Sequence, residues 1–218
     1  MAGKKSGSTK AKSAKKTNKK AKTGPEAQRD ELLLATLPYV EAEGFGREAL
    51  LLGAADIGMN EDEALELFPG GGVDMVLHFN DWAVREMLRH CAPSALERMR
   101  VRDRIRLLVR TYLDVLTDYK PAVKQAVVLA RPWNMGDGAK QMYHVVDAMW
   151  LAAGDTATDY NFYTKRALLA GVLGSTTLRW LIDTSENHAD TWDFLDSRID
   201  NVMQIEKLKA GILSRFAA

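Results

Sequence analysis

Four histidines carry most of the chain's capacity for acid–base or metal chemistry: His78, His90, His144 and His188. Two of them have a carboxylate at helical spacing. Glu86 precedes His90 by four residues and His144 precedes Asp147 by three, so each pair shares one helix face. A metal needs further ligands. A di-iron centre in a helical bundle needs two Glu-x-x-His motifs and two more glutamates, and the sequence holds no such set. Both pairs therefore read as hydrogen-bonded pairs. Cys91 is the single cysteine. It excludes an internal disulfide and a cysteine-rich metal site, and reads as a plain buried thiol near a helix end. Gly70, Gly71 and Gly72 follow Pro69 and no strand, so they break a helix and do not cradle a phosphate. No nucleophile elbow is present. The expectation is a protein that is not an enzyme and has no cofactor.

The elements that must position these residues are helical. From Glu26 onward the apolar residues recur at helical spacing, and no run alternates like a strand. Helices are predicted over about 25–43, 47–57, 61–68, 73–90, 93–118 (in one or two pieces), a short stretch after Pro121, then 138–152, 159–182 and 190–207. Pro25 suits a first helical turn, Gly44 and Gly58 suit ends, and Asn60 suits a cap. The gaps are short. This is one all-α domain of about nine to ten helices over 25–207.

Hydrophobic residues make up 46% of the chain and charged residues 27%, the balance of an ordinary globular protein. The net charge of +1 hides a division. Residues 1–23 carry nine lysines and no acid, which leaves the remainder at a formal −8. Residues 1–24 have too little apolar surface to fold and are expected to be disordered. They lack the apolar core of a signal peptide. They also lack the arginines and amphipathic pattern of a mitochondrial transit peptide. A solvated tail, an electrostatic tether to anionic lipid and weak nucleic-acid attraction all remain open for it. The most apolar stretch, "ALLAGVLGSTTLRWLI", is interrupted by polar residues and falls short of about 20 residues, so any membrane contact is expected to be peripheral.

"GREALLLGAADIG", the turn "GMN" and "EDEALELF" form a helix-turn-helix pattern. Followed by a long helix, it resembles the N-terminal half of TetR-type regulators. A recognition helix must approach phosphates and base edges, and this one carries Glu61, Asp62, Glu63 and Glu66. Four carboxylates on about two turns repel DNA. The pattern therefore reads as vestigial, and no specific DNA binding is expected. A TetR-type ligand-sensing transcription regulator stays as the alternative function.

"ERMRVRDRIRLLVR" places Arg98, Arg100, Arg102, Arg104, Arg106 and Arg110 beside a core stripe of Val101, Ile105, Leu108, Tyr112 and Val115. The arginines read first as a solvated face, and second as a contact for phospholipid or a partner. The last helices have wide apolar arcs: Met142, Val145, Met149 and Trp150, then Leu168, Leu169, Val172, Leu173 and Trp180, then Trp192, Leu195, Ile199, Val202 and Met203. Small residues lie between them. Such arcs give an ordinary close-packed core, or a cavity for an apolar ligand. After Lys207, Leu208, Ile212, Leu213 and Phe216 share a broad face that could lie in a membrane interface over 208–218; a frayed end is the other reading.

Two long stretches, "MWLAAGDTATDYNFYTKRALLAGV" and "DTWDFLDSRI" at 190–199, carry a resemblance to the coenzyme Q biosynthesis protein nine family. The resemblance runs from Leu32 to about Val202. It implies a TetR-like helical bundle, a homodimer, and an accessory role in ubiquinone biosynthesis. In that role an isoprenoid quinone precursor is bound in the C-terminal half and presented to the di-iron demethoxyubiquinone hydroxylase. Phospholipid is a further ligand class. The resemblance also implies a peripheral membrane contact through an amphipathic C-terminal helix, here Leu208, Ile212, Leu213 and Phe216. Candidate lipid contacts are Met142, Val145, Met149, Leu169, Val172, Leu173 and Met203. Candidate contacts for the hydroxylase, carried over on the motif, are Asp147, Trp150, Asp159, Phe162, Tyr163, Lys165 and Arg166. The Lys-rich start without a transit pattern sets the expectation of a bacterial member, cytoplasmic and peripheral on the inner face of the plasma membrane.

Overall fold

The computed structural model describes residues 24–129, 135–156 and 160–216, with only the backbone at 135, 137, 160, 203 and 205–216. The Lys-rich stretch and Asp159 lie outside the described residues, as do the side chains of Met203, Leu208, Ile212, Leu213 and Phe216.

The described residues are helical throughout, without a strand. α1 (Pro25–Thr36) opens with Pro25 in its first turn. The expected single helix to Glu43 is instead broken at Leu37–Tyr39, a 3-10 turn, before α2 (Val40–Glu43). Pro38 is the cause, because it has no N–H for the α-helical ladder. α3 (Arg47–Asp56) crosses α1 so closely that a Cβ at Gly53 would sit 2.6 Å from Thr36 Oγ1. α4 (Glu61–Leu67) begins at Asn60, whose side chain accepts from Asp62 N at 2.8 Å. Thus α3 and α4 form the expected helix-turn-helix, with Glu61, Asp62, Glu63 and Glu66 all exposed.

α5 (Gly71–His90) starts two residues before its predicted position. Gly72 allows this start, since a Cβ there would lie 2.1 Å from Phe45 O. Met75, Phe79, Ala83 and Met87 make its buried stripe. Asp30 on α1 holds α5 through His78 at 2.7 Å and Arg85 at 2.5 Å. The predicted 93–118 helix is two pieces, α6 (Pro93–Glu97) and α7 (Val101–Val115), followed by a 3-10 turn at Thr117–Tyr119. Buried Cys91 lies at the end of α5, its Sγ 3.5 Å from Thr111 Oγ1.

α8 (Lys120–Leu129), α9 (Met135–Ala152), α10 (Tyr160–Ile182) and α11 (Ala189–Phe216) complete the C-terminal half. α7 is its centre, packed against α5, α9, α10 and α11. The arginines of α7 are solvent-accessible, with Arg110 exposed and Arg102, Arg104 and Arg106 half-buried, but they are not free. Arg102 pairs with Asp200 at 2.5 Å, Arg106 pairs with Asp196, and Arg110 lies 4.8 Å over the Trp192 ring. They seal the seam between α7 and α11. Arg104 donates to the carbonyls of Met99, Glu97 and Ala153 at 2.9, 3.0 and 2.8 Å. Its charge thereby fits the carbonyl-rich end of α9.

Candidate functional site

α5, α7, α8, α9 and α10 contribute to the wall of a cavity of about 220 Å³. Most of that wall is aliphatic, with Val76 and Leu77 from α5, Val123 from α8, Met142 and Val145 from α9, and Leu173 from α10. Its polar groups largely satisfy one another. Tyr112 OH donates to Asn80 Oδ1 at 3.2 Å, and Asn80 Nδ2 donates to Val76 O at 3.1 Å. Gln141 Nε2 donates to Leu77 O at 3.1 Å and to Asp81 Oδ1 at 3.2 Å. Burial pushes the Tyr112 phenol well above its usual range, and the nearby Asp81 carboxylate pushes it the same way. The cavity wall therefore stays neutral at physiological pH.

A space of this kind favours apolar guests. A dry protein cavity of about 150 Å³ takes up a benzene molecule. The present cavity accommodates a ring or a short branched aliphatic segment, and not the whole of a long polyprenyl chain.

Of the candidate lipid contacts, Met142, Val145 and Leu173 line the cavity. Met149, Leu169 and Val172 do not; they are buried in the adjoining core, where α9 packs on α10. The sequence reading missed the whole α5, α7 and α8 side. Val73, Val76 and Asn80 recur at spacings of three and four along α5, and that periodicity was the available signal.

The seven candidate partner contacts divide differently from the expectation. Arg166 is 2% exposed. Its guanidinium pairs with Asp147 at 2.6 Å and with Asp155 at 3.2 Å, and lies 3.4 Å over the Phe162 ring. Arg166, a candidate contact for the hydroxylase, is instead buried and paired with two carboxylates of its own chain. Burial opposes that charge, but the hydrogen bonds that Arg166 donates to Asp147 and Asp155 outweigh it and raise the pKa. Lys165 reaches Asp155 at 2.7 Å and lies 5.5 Å from the Trp150 ring centroid. Trp150 Nε1 donates to Lys165 O at 3.1 Å. Asp147, Trp150, Phe162, Lys165 and Arg166 thus form one internal cluster with Asp155. Tyr163 packs edge-on against Phe162, 5.1 Å between ring centroids, and is 67% exposed.

The two expected histidine–carboxylate pairs do not form as such. His90 Nδ1 lies 2.8 Å from the Glu86 backbone carbonyl, while the Glu86 carboxylate pairs with Arg89 at 2.9 Å. His144 Nε2 lies 3.4 Å from Asp81 on α5, while Asp147 pairs with Arg166. Among the described residues no group of three or more His, Cys, Asp or Glu could hold a metal. No described helix is long and apolar enough to cross a membrane.

The helix-turn-helix, the long α5 and the cavity under α9 and α10 define an all-α protein of TetR-like fold. A TetR transcriptional regulator from Nitrosomonas europaea shares this fold, with a TM-score of 0.65 over 80% of this chain and 97% of that chain, at 18% identity. Residues 135–206 match the COQ9 family model. The similarity extends well beyond that segment. The chain is 32% identical over 200 residues to the mitochondrial ubiquinone biosynthesis protein COQ9 of Drosophila melanogaster, covering 85% of this chain and 61% of that protein. To the Homo sapiens protein of the same name it is 31% identical over 182 residues, covering 80% of this chain and 57% of that protein. It therefore spans little more than half the length of these relatives.

Proposed function

We propose that this protein is a non-catalytic lipid-binding accessory protein of ubiquinone biosynthesis. It holds an isoprenoid quinone precursor, or a phospholipid in its absence, and presents the precursor to the di-iron demethoxyubiquinone hydroxylase. The observation that carries this reading is the apolar cavity lined by Met142, Val145 and Leu173. Moving isoprene carbons from water into such a wall gains about 25 cal/mol per Å². In a bilayer that gain is already present, so the protein adds position and not extraction energy. Metal and oxygen chemistry would remain with the hydroxylase.

The same proposal includes three surfaces. Tyr163 meets the hydroxylase. The α10 face bearing Leu178 and Ile182, the latter 71% exposed, pairs two copies. The C-terminal part of α11 rests on the inner face of a membrane. DNA regulation is disfavoured by the four exposed acids of the helix-turn-helix. The test is a pull-down with purified hydroxylase, coupled to lipid extraction from the captured complex. Capture with a co-extracted isoprenoid is expected; neither capture nor isoprenoid would remove the proposal.

A further inference from the structure

Arg166 is buried, yet it touches Phe162, the residue against which the exposed Tyr163 leans. Its guanidinium holds Asp147 on α9 and Asp155 in the turn that follows α9. Nη1 also donates to the Phe162 carbonyl at 3.2 Å, and the guanidinium covers the Phe162 ring. One side chain therefore ties the end of α9, the turn after it and the first turn of α10. Asp155 is itself buried, its side chain 4% exposed, and is shared with Lys165. The group at the outer edge of this assembly is Tyr163, which leans edge-on against Phe162 and projects into solvent.

We propose that Arg166 is a positioning residue for protein recognition: anchored by Asp147 and Asp155, it fixes Phe162, and through Phe162 it sets the direction of Tyr163. This rests on the reading above that Tyr163 meets the hydroxylase. The planar fork of arginine suits the task, since it can satisfy two carboxylates and stack on a ring at once. A partner then finds a rigid aromatic group already in its bound direction, and loses less freedom on docking.

Removing Arg166 outright would leave Asp155 buried without that partner, which endangers the fold. The test therefore uses Asp147→Asn, which leaves the Arg166–Asp155 pair, and Phe162→Leu, which leaves both ion pairs. Each is combined with Tyr163→Ala, and affinity for the purified hydroxylase is measured by calorimetry on the full chain. Tyr163→Ala is expected to weaken binding about tenfold. Asp147→Asn and Phe162→Leu are each expected to weaken it about fivefold alone, and less than about twofold in the Tyr163→Ala background, the coupling expected of residues acting as a unit. If Tyr163→Ala leaves affinity unchanged, the partner surface itself is wrong and the inference falls with it. If Tyr163→Ala weakens binding but the other two do nothing, or cost the same factor in both backgrounds, the surface stands and the positioning role is overturned.

Discussion

Asp183, just beyond α10, accepts from both the backbone N–H of Thr191 at 2.9 Å and the Thr191 hydroxyl, on the first turn of α11. Ser185 adds its own N–H at 2.8 Å and its hydroxyl at 2.6 Å. One buried carboxylate thereby caps α11 and fixes how it leaves α10. The link it stabilises includes two non-glycine residues in the left-handed region, Asn187 at φ 51° and His188 at φ 57°. Burial alone would raise the Asp183 pKa, but the Ser185 and Thr191 hydrogen bonds override it and hold the carboxyl well below its usual range.

The sign of the pH dependence follows. A depressed folded-state pKa contributes stability that is fully present above the unfolded carboxylate value and is lost as pH falls toward the folded one. Asp183→Asn should destabilise the protein by about 2 kcal/mol near neutral pH. In urea titrations the gap between variant and wild type should stay constant down to about pH 5 and narrow below about pH 4. A gap that widens on acidification would contradict the assigned hydrogen bonds.

Gly53 tests the packing of the helix-turn-helix. Gly53→Ala places a methyl 2.6 Å from Thr36 Oγ1 and 2.7 Å from Thr36 N. Backbone atoms cannot give way as a side-chain tip would, so the cost should be about 1–3 kcal/mol. Thermal unfolding measures it. A gain of stability, as expected for Gly→Ala on an open helix face, would mean that α1 and α3 do not meet as described.

The exposed acids of α4 predict no affinity for duplex DNA at moderate salt. A mobility-shift titration at low and moderate ionic strength checks this. Affinity that weakens steeply with added salt, the signature of phosphate contacts, and that persists after removal of the Lys-rich residues 1–23, would restore the regulator reading.

Most helix ends were legible because the sequence punctuates them: Pro25, Gly44, Asn60 and Pro93 stand at or beside observed boundaries. Pro38 is equally visible, but Leu33, Leu37 and Val40 keep helical spacing across it and mask the break. The site was half legible. Met142, Val145 and Leu173 lie on wide apolar arcs that the sequence displays, whereas the α5 and α8 walls depend on which helices meet in space. Arg166 looked like a surface charge beside Lys165. What buries it is the chain reversal at Gly154, φ +83°, which brings Asp155 back toward α10. For the α7 arginines the signal was present but unused: Asp196 and Asp200, four apart on α11, supply their partners.

We propose that part of an isoprenoid lipid, its ring or a short stretch of its chain, occupies the cavity under α9 and α10. Ala126 lines it from α8 and is half-buried, so Ala126→Trp should fill the space without removing any core side chain. The most direct measurement is native mass spectrometry of the gently purified full chain, wild type against Ala126→Trp. An isoprenoid quinone or its precursor retained by the wild type, and depleted about tenfold or more in a folded Ala126→Trp variant, is the predicted result. Equal retention by both proteins, or none by the wild type, would contradict it.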